Sequence, residues 1–243
     1  MKYLRAVPIA FVLTSLAYSQ TFGVASVKSS DGGGSYRVKV GPGSVSIMHS
    51  GLAGIITWAY SLQDIQLYGP DWLTYRPFDI EAKTAGPTSE AAMRVMMQHL
   101  LTERFRLVVH WTEKPRNLYV MRVPINARGN FKPSTLQELG KDPSRSEGVQ
   151  FSWIAEQCSL GGEFGVSVFD ATDMPGRWDF AFKWPDSVEP VGADLQTVMP
   201  FRANYARDLR QKLTQQLGVQ FTHETYPVKT LVIDQADRIP SPN

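Results

Sequence analysis

The chain has 243 residues, 43% of them hydrophobic, 11% aromatic and 20% charged, which excludes a disordered tail, a collagen-like repeat and a disulfide-dense miniprotein. The formal charge of +2 comes from 25 basic and 23 acidic side chains, and two of the basic ones, Lys2 and Arg5, lie in a segment expected to be removed. The remaining balance is zero, so there is no electrostatic case for nucleic acid or an anionic membrane as partner.

Residues 1–19 read as a signal peptide. A basic start precedes an apolar run from Ala6 to Ala17, and Ala17-Tyr18-Ser19 supplies a small-x-small site, which places cleavage before Gln20. The run is shorter than the roughly 20 residues that a spanning helix needs. No later segment is long and apolar enough to span, so the expectation is an exported protein, periplasmic or extracellular, without a membrane span.

Asp31 to Gly34 forms a turn, followed by the strand-like Ser35-Tyr36-Arg37-Val38. A helix-like stretch, Leu52 to Tyr60, leads to a strand at Phe78-Asp79-Ile80-Glu81-Ala82-Lys83. The clearest helix spans Thr88 to Phe105, with Thr88 as cap and Met93, Met97, Leu100, Leu101 and Phe105 as its apolar stripe. Leu107 to Thr112 alternates as a strand, Glu113 to Arg116 breaks the pattern at Pro115, and Asn117 to Val123 resumes it.

Residues 125–148, rich in Gly, Pro, Ser and charge, read as an exposed polar link. Beyond it the programme repeats. Ser152 to Leu160 is helix-like, Trp178-Asp179-Phe180 matches Phe78-Asp79-Ile80, and Pro185 to Met199 reads as a loop insertion. Tyr205, Leu209, Leu213 and Leu217 make a helical stripe closed by Gly218. Val219, Phe221 and His223 alternate, Pro227 turns the chain, and Lys229 to Asp234 forms the last strand. Adding 112 to Leu101-Thr102, Val109 and Pro115 gives Leu213-Thr214, Phe221 and Pro227 without a gap. The expected fold is therefore α+β, in two similar halves, 20–124 and 149–243, each a mainly antiparallel sheet with helices packed on one face.

Several stretches resemble the soil-associated family of secreted bacterial proteins, a domain of unknown function. They include Phe22-Gly23-Val24-Ala25-Ser26-Val27-Lys28, Gly69-Pro70-Asp71-Trp72-Leu73 and Leu100-Leu101-Thr102-Glu103-Arg104-Phe105-Arg106-Leu107, together with Pro175-Gly176-Arg177-Trp178 and Leu231-Val232-Ile233-Asp234. The resemblance implies export and abundance in bacteria of the acidobacterial type. It implies no activity. Some relatives resemble fusions to a membrane metallopeptidase of the antibiotic-sensor type, which suits a sensing or binding role.

Chemistry-bearing motifs are scarce. His49, His99, His110 and His223 are scattered, and His110 with Glu113 would face opposite sides of a strand. Cys158 is the single cysteine and reads as packing. Asp170 and Asp173 flank a turn. No nucleophile elbow or phosphate loop occurs, and nothing calls for a cofactor or metal. The expected function is a non-catalytic extracytoplasmic binding module for another envelope or secreted protein. An exported hydrolase with an unrecognised site and a structural part of a cell-surface assembly are the alternatives. The expected contact residues are Trp72 and Tyr75, in and beside a Gly-Pro-Asp turn.

Overall fold

A computed structural model describes residues 21–30, 34–136, 146–159, 167–186 and 194–242. The expected signal peptide, most of the Asp31 to Gly34 turn and parts of both predicted loops lie outside the described residues. The fold is α+β, with mostly antiparallel sheets and helices. Its two compact units cut across the expected halves. One comprises the described residues within 21–60, 72–107 and 236–242, the other those within 61–71 and 108–235.

The first unit holds a four-stranded antiparallel sheet in the order β1 (Val24–Ser29), β5 (Pro77–Lys83), β3 (Ser44–Gly51) and β2 (Arg37–Gly41). Helices α1 (Leu52–Tyr60) and α3 (Glu90–Phe105) supply its other core residues. The stripe read from the sequence is core: Met93, Met97, Leu101 and Phe105 are fully buried, and Phe105 meets Phe78 edge-on at 5.0 Å between ring centroids. The cap of α3 is Ser89, one residue later than expected, because its hydroxyl accepts the Ala92 N–H while that of Thr88 donates to Gly86 O. Side chains of α3 also finish α1, Arg94 donating to Trp58 O and Gln98 to Ala59 O at 2.9 Å. Carbonyls at a helix C-terminus have no partner within the helix.

The second unit is organised by a long two-stranded ribbon, β6 (Val108–Arg122) against β11 (Gln220–Gln235). The expected break at Pro115 and turn at Pro227 do not occur, because the two prolines stand opposite each other. Facing antiparallel residues alternate between pairs that exchange two hydrogen bonds and pairs that exchange none, and two prolines fit only the second kind. The N–H that each would have pointed outward is missing. Outside the prolines, short parallel strands flank the ribbon: β4 (Leu67–Tyr68) on β11 and β9 (Val168–Asp170) on β6.

A second, three-stranded sheet in this unit has the order β7 (Lys132–Pro133), β10 (Trp178–Phe180), β8 (Ser146–Val149). Helices α4 (Phe151–Ser159) and α5 (Leu195–Leu217) close a core that contains Phe131, Phe151, Cys158, Leu209 and Leu213. Two sequence expectations are corrected here. The link is not wholly exposed, for Phe131 is buried and packs edge-on against Phe151 and Phe180. The end of the predicted loop insertion is helical, since Asp194 caps α5 by accepting the Thr197 N–H, and the helix carries Pro200 inside it.

The Phe-Asp-Ile and Trp-Asp-Phe motifs have one job in common. Register slips by a residue between Ile47 and Ser50 of β3, and again where β8 faces β10. Each slip contains a residue in the left-handed region, His49 at φ 53 and Gly148 at φ 67. A bulge of this sort leaves its extra backbone group outside the ladder. Asp79 accepts the His49 N–H at 2.8 Å, and Asp179 accepts the Gly148 N–H at 2.7 Å. The apolar neighbours Phe78, Ile80 and Phe180 point the other way, into the cores.

Asp79→Ala and Asp179→Ala should each lower unfolding stability by about 1–3 kcal/mol, the cost of leaving such an N–H unsatisfied. Urea denaturation of each variant measures it. A loss within error at either position would assign the carboxylate some other role.

Candidate interaction surface

Trp72 and Tyr75 belong to α2 (Trp72–Tyr75), a single helical turn in the first unit. Leu73 anchors it, 3% exposed. The turn seats closely because residue 51 is glycine: a Cβ there would stand 2.8 Å from Leu73 O and 2.9 Å from Thr74 O. With Leu73 turned inward, Tyr75 is left 76% exposed, while Trp72 is half-buried.

What half-buries Trp72 includes a residue far away in sequence. The Arg238 guanidinium carbon lies 5.5 Å from the centroid of the Trp72 ring, within cation–π range. Residues 236–242 are held against the end of α3. Asp237 N–H donates to Phe105 O at 2.6 Å and Ser241 N–H donates to Arg104 O at 2.8 Å. The largely buried Arg104 donates in return to Ser241 O at 3.1 Å and to Pro242 O. Arg106, left-handed at the helix end, pairs with Asp237 at 3.6 Å. Arg76 follows Tyr75 and is exposed, as are Arg238 and Ile239. The surface is thus aromatic and cationic, and Trp, Tyr and Arg are the residues over-represented at recognition hot spots.

The other side chains singled out from sequence are dispersed. His110 bonds Asp234 at 2.8 Å and has no bond to Glu113, both partners being about half exposed on the ribbon. His223 is exposed beside the Tyr119 ring. Asp170 accepts from Thr172 N–H and Oγ, and burial moves its carboxyl above the ordinary range against those bonds. Among the described residues, no three His, Cys, Asp or Glu side chains gather as a metal site, and no helix is long and apolar enough to cross a membrane.

One contact was not legible beforehand. Ser30 Oγ lies 2.7 Å from His49 Nδ1, while a Cβ at Gly34 would overlap the far edge of the imidazole. This is the nucleophile–base spacing of an acyl-transfer site. Asp79, the nearby carboxylate, bonds the His49 backbone rather than its ring, so the third member that orients a catalytic base is spent elsewhere.

Taken together, these observations define an α+β protein with an exposed patch of aromatic and cationic side chains. Residues 53–236 match the family model described as protein of unknown function (DUF3738), and the chain belongs to that family. It is also similar to an anhydro-N-acetylmuramic acid kinase of Cupriavidus pinatubonensis (strain JMP 134 / LMG 1197), 32% identical over 104 residues. That stretch is 39% of this chain and 27% of the kinase, so the chain spans about a quarter of that relative's length. No solved structure matches the chain.

Cys158 supplies a test of the core. Burial pushes its thiol up to about 12, against an opposing effect of Arg210. The unfolded thiol ionises near 9.0 and the folded one does not, so the unfolded state releases a proton first and stability falls as pH rises above 9. The slope from this group is at most about 1.4 kcal/mol per pH unit. Urea midpoints between pH 8 and 10.5 should fall more steeply for the wild type than for Cys158→Ala. Parallel curves would place the thiol in contact with solvent.

Proposed function

We propose that the chain is an exported, non-catalytic binding module that holds another envelope or secreted protein through Trp72 and Tyr75. The observation that carries this reading is the 76% exposure of Tyr75 on a turn fixed by a buried leucine and a close glycine contact. A rigid, exposed aromatic gives large contact area at little cost in conformational freedom.

An internal duplication is part of the same reading, and matched positions support it. The two bulge–aspartate bonds correspond. Arg106 and Gly218, both left-handed, end α3 and α5 at positions 112 apart. Gln98 donates to Ala59 O, and Arg210, again 112 further on, donates to Cys158 O. Leu67 faces Leu231 while Val168 faces Tyr119, also 112 apart. What the halves share maintains the fold. At an offset of 100, Thr172 and Pro175 stand where the first half has Trp72 and Tyr75, so the aromatic pair belongs to what differs.

Export is tested by mass spectrometry of the secreted protein, which should begin at Gln20; retention of Lys2 and Arg5 would mean an uncleaved segment. Binding is tested by pull-down from envelope extract. Trp72→Ala and Tyr75→Ala should keep the wild-type circular dichroism and weaken capture by more than about 1 kcal/mol, roughly fivefold. Unchanged capture by both variants would remove this surface from the function.

The Ser30–His49 contact favours a second reading, an exported serine hydrolase. A fluorophosphonate probe that labels the wild type and spares Ser30→Ala would establish it. No labelling of the folded protein would leave the pair as a tie between β1 and β3.

A further inference from the structure

Resting on the binding-module reading, we infer that the surface formed by Trp72, Tyr75, Arg76 and Arg238 takes an acidic peptide segment of its partner. Charge complementarity is the argument. Arg76 follows Tyr75 in the chain and Arg238 lies over Trp72, while the expected mature chain as a whole balances 23 basic against 23 acidic side chains, so the positive sign here is local. A guanidinium held within cation–π range of a ring still carries N–H donors in its own plane, the fork that matches a carboxylate. Asp237, the acid next to it, pairs with Arg106 at 3.6 Å, which lessens its repulsion of an incoming carboxylate. Tyr75 and Ile239, both exposed and next in sequence to Arg76 and Arg238, add apolar surface beside the charges.

The same geometry makes Arg104 a positioning residue. Arg238 lies between two anchor points of the tail, Asp237 on Phe105 O and Ser241 on Arg104 O. Arg104 closes the second anchor with its own donors to Ser241 O and Pro242 O. It touches no part of the proposed ligand. It acts by holding the segment that brings Arg238 to the ring.

The test uses the full chain and two fluorescein-labelled peptides, one of alternating Glu and Phe and its Lys-for-Glu counterpart, followed by fluorescence anisotropy. The wild type should bind the Glu peptide, less tightly as salt rises, and should discriminate against the Lys peptide. The doubly reversed variant R76E/R238E should lose at least about tenfold for the Glu peptide and gain the Lys peptide. Arg104→Gln keeps both surface arginines, yet it should shift the tryptophan emission and weaken the Glu peptide severalfold. If Arg104→Gln does not fold, Arg238→Gln carries that arm.

Equal binding of the two peptides, or unaltered preference in R76E/R238E, overturns the inference. So does competition by a single-stranded oligonucleotide as strong as by unlabelled Glu peptide, because the surface would then be a general polyanion site. These failures differ from failure of the binding-module reading. If Tyr75→Ala loses partner capture while the peptides show no charge preference, only the acidic ligand is wrong. If neither Trp72→Ala nor Tyr75→Ala affects capture, the module reading falls as well.

Discussion

The second unit depends on one pairing, that of residues 108–122 with 220–235. The facing strands are separated by about a hundred residues, and closing a loop of that size costs about 4 kcal/mol of chain entropy before any contact offsets it. The return comes from both faces of the ribbon. Met121 and Phe221 join the core built around α5 on one face, while Leu118, Val120 and Val228 are buried on the other. The flanking strands β4 and β9 are only two and three residues long, so they have no ladder until the ribbon exists. Such non-local order predicts slow folding, with these strands late.

Where the ribbon sets the long-range order, the bulges set the local turn from strand to helix. In both places the chain bends through a left-handed residue and begins a helix within three residues: His49 before Leu52, and Gly148 before Phe151. Holding that bend needs an acceptor from a neighbouring strand, and a carboxylate between apolar residues provides it. An Asp in a strand-like Phe-Asp-Ile motif invites a catalytic reading. Its partner here is a backbone N–H, and the motif is a structural one.

What could be read from sequence was periodic and local. Helix stripes at Met93 to Phe105 and Tyr205 to Leu217 follow from repeats of apolar residues. The misreadings fall where a distant partner changes the meaning of a residue. Pro115 looked like a break because its acceptability depends on Pro227 facing it. Phe131 looked exposed because its neighbours are polar, whereas Phe151 and Phe180, which bury it, lie 20 and 49 positions on. For the candidate surface, Trp72 and Tyr75 were legible as aromatics in and beside a turn. Arg238 was not, since no local pattern connects it to Trp72; nor was the meeting of Ser30 with His49, 19 residues apart.

The opposed prolines also have a consequence for how this ribbon meets other chains. Among the described residues the ribbon is flanked by strands over only part of its length, and open strand edges recruit other chains by continuing the sheet. At the middle of each edge of this ribbon the donor that a newcomer would need is absent, because the residue is an imino acid. A foreign strand laid along either side would meet the gap and an out-of-plane ring at its centre. The same pair that permits the two halves of the chain to zip together therefore makes the product a poor template for fibril growth.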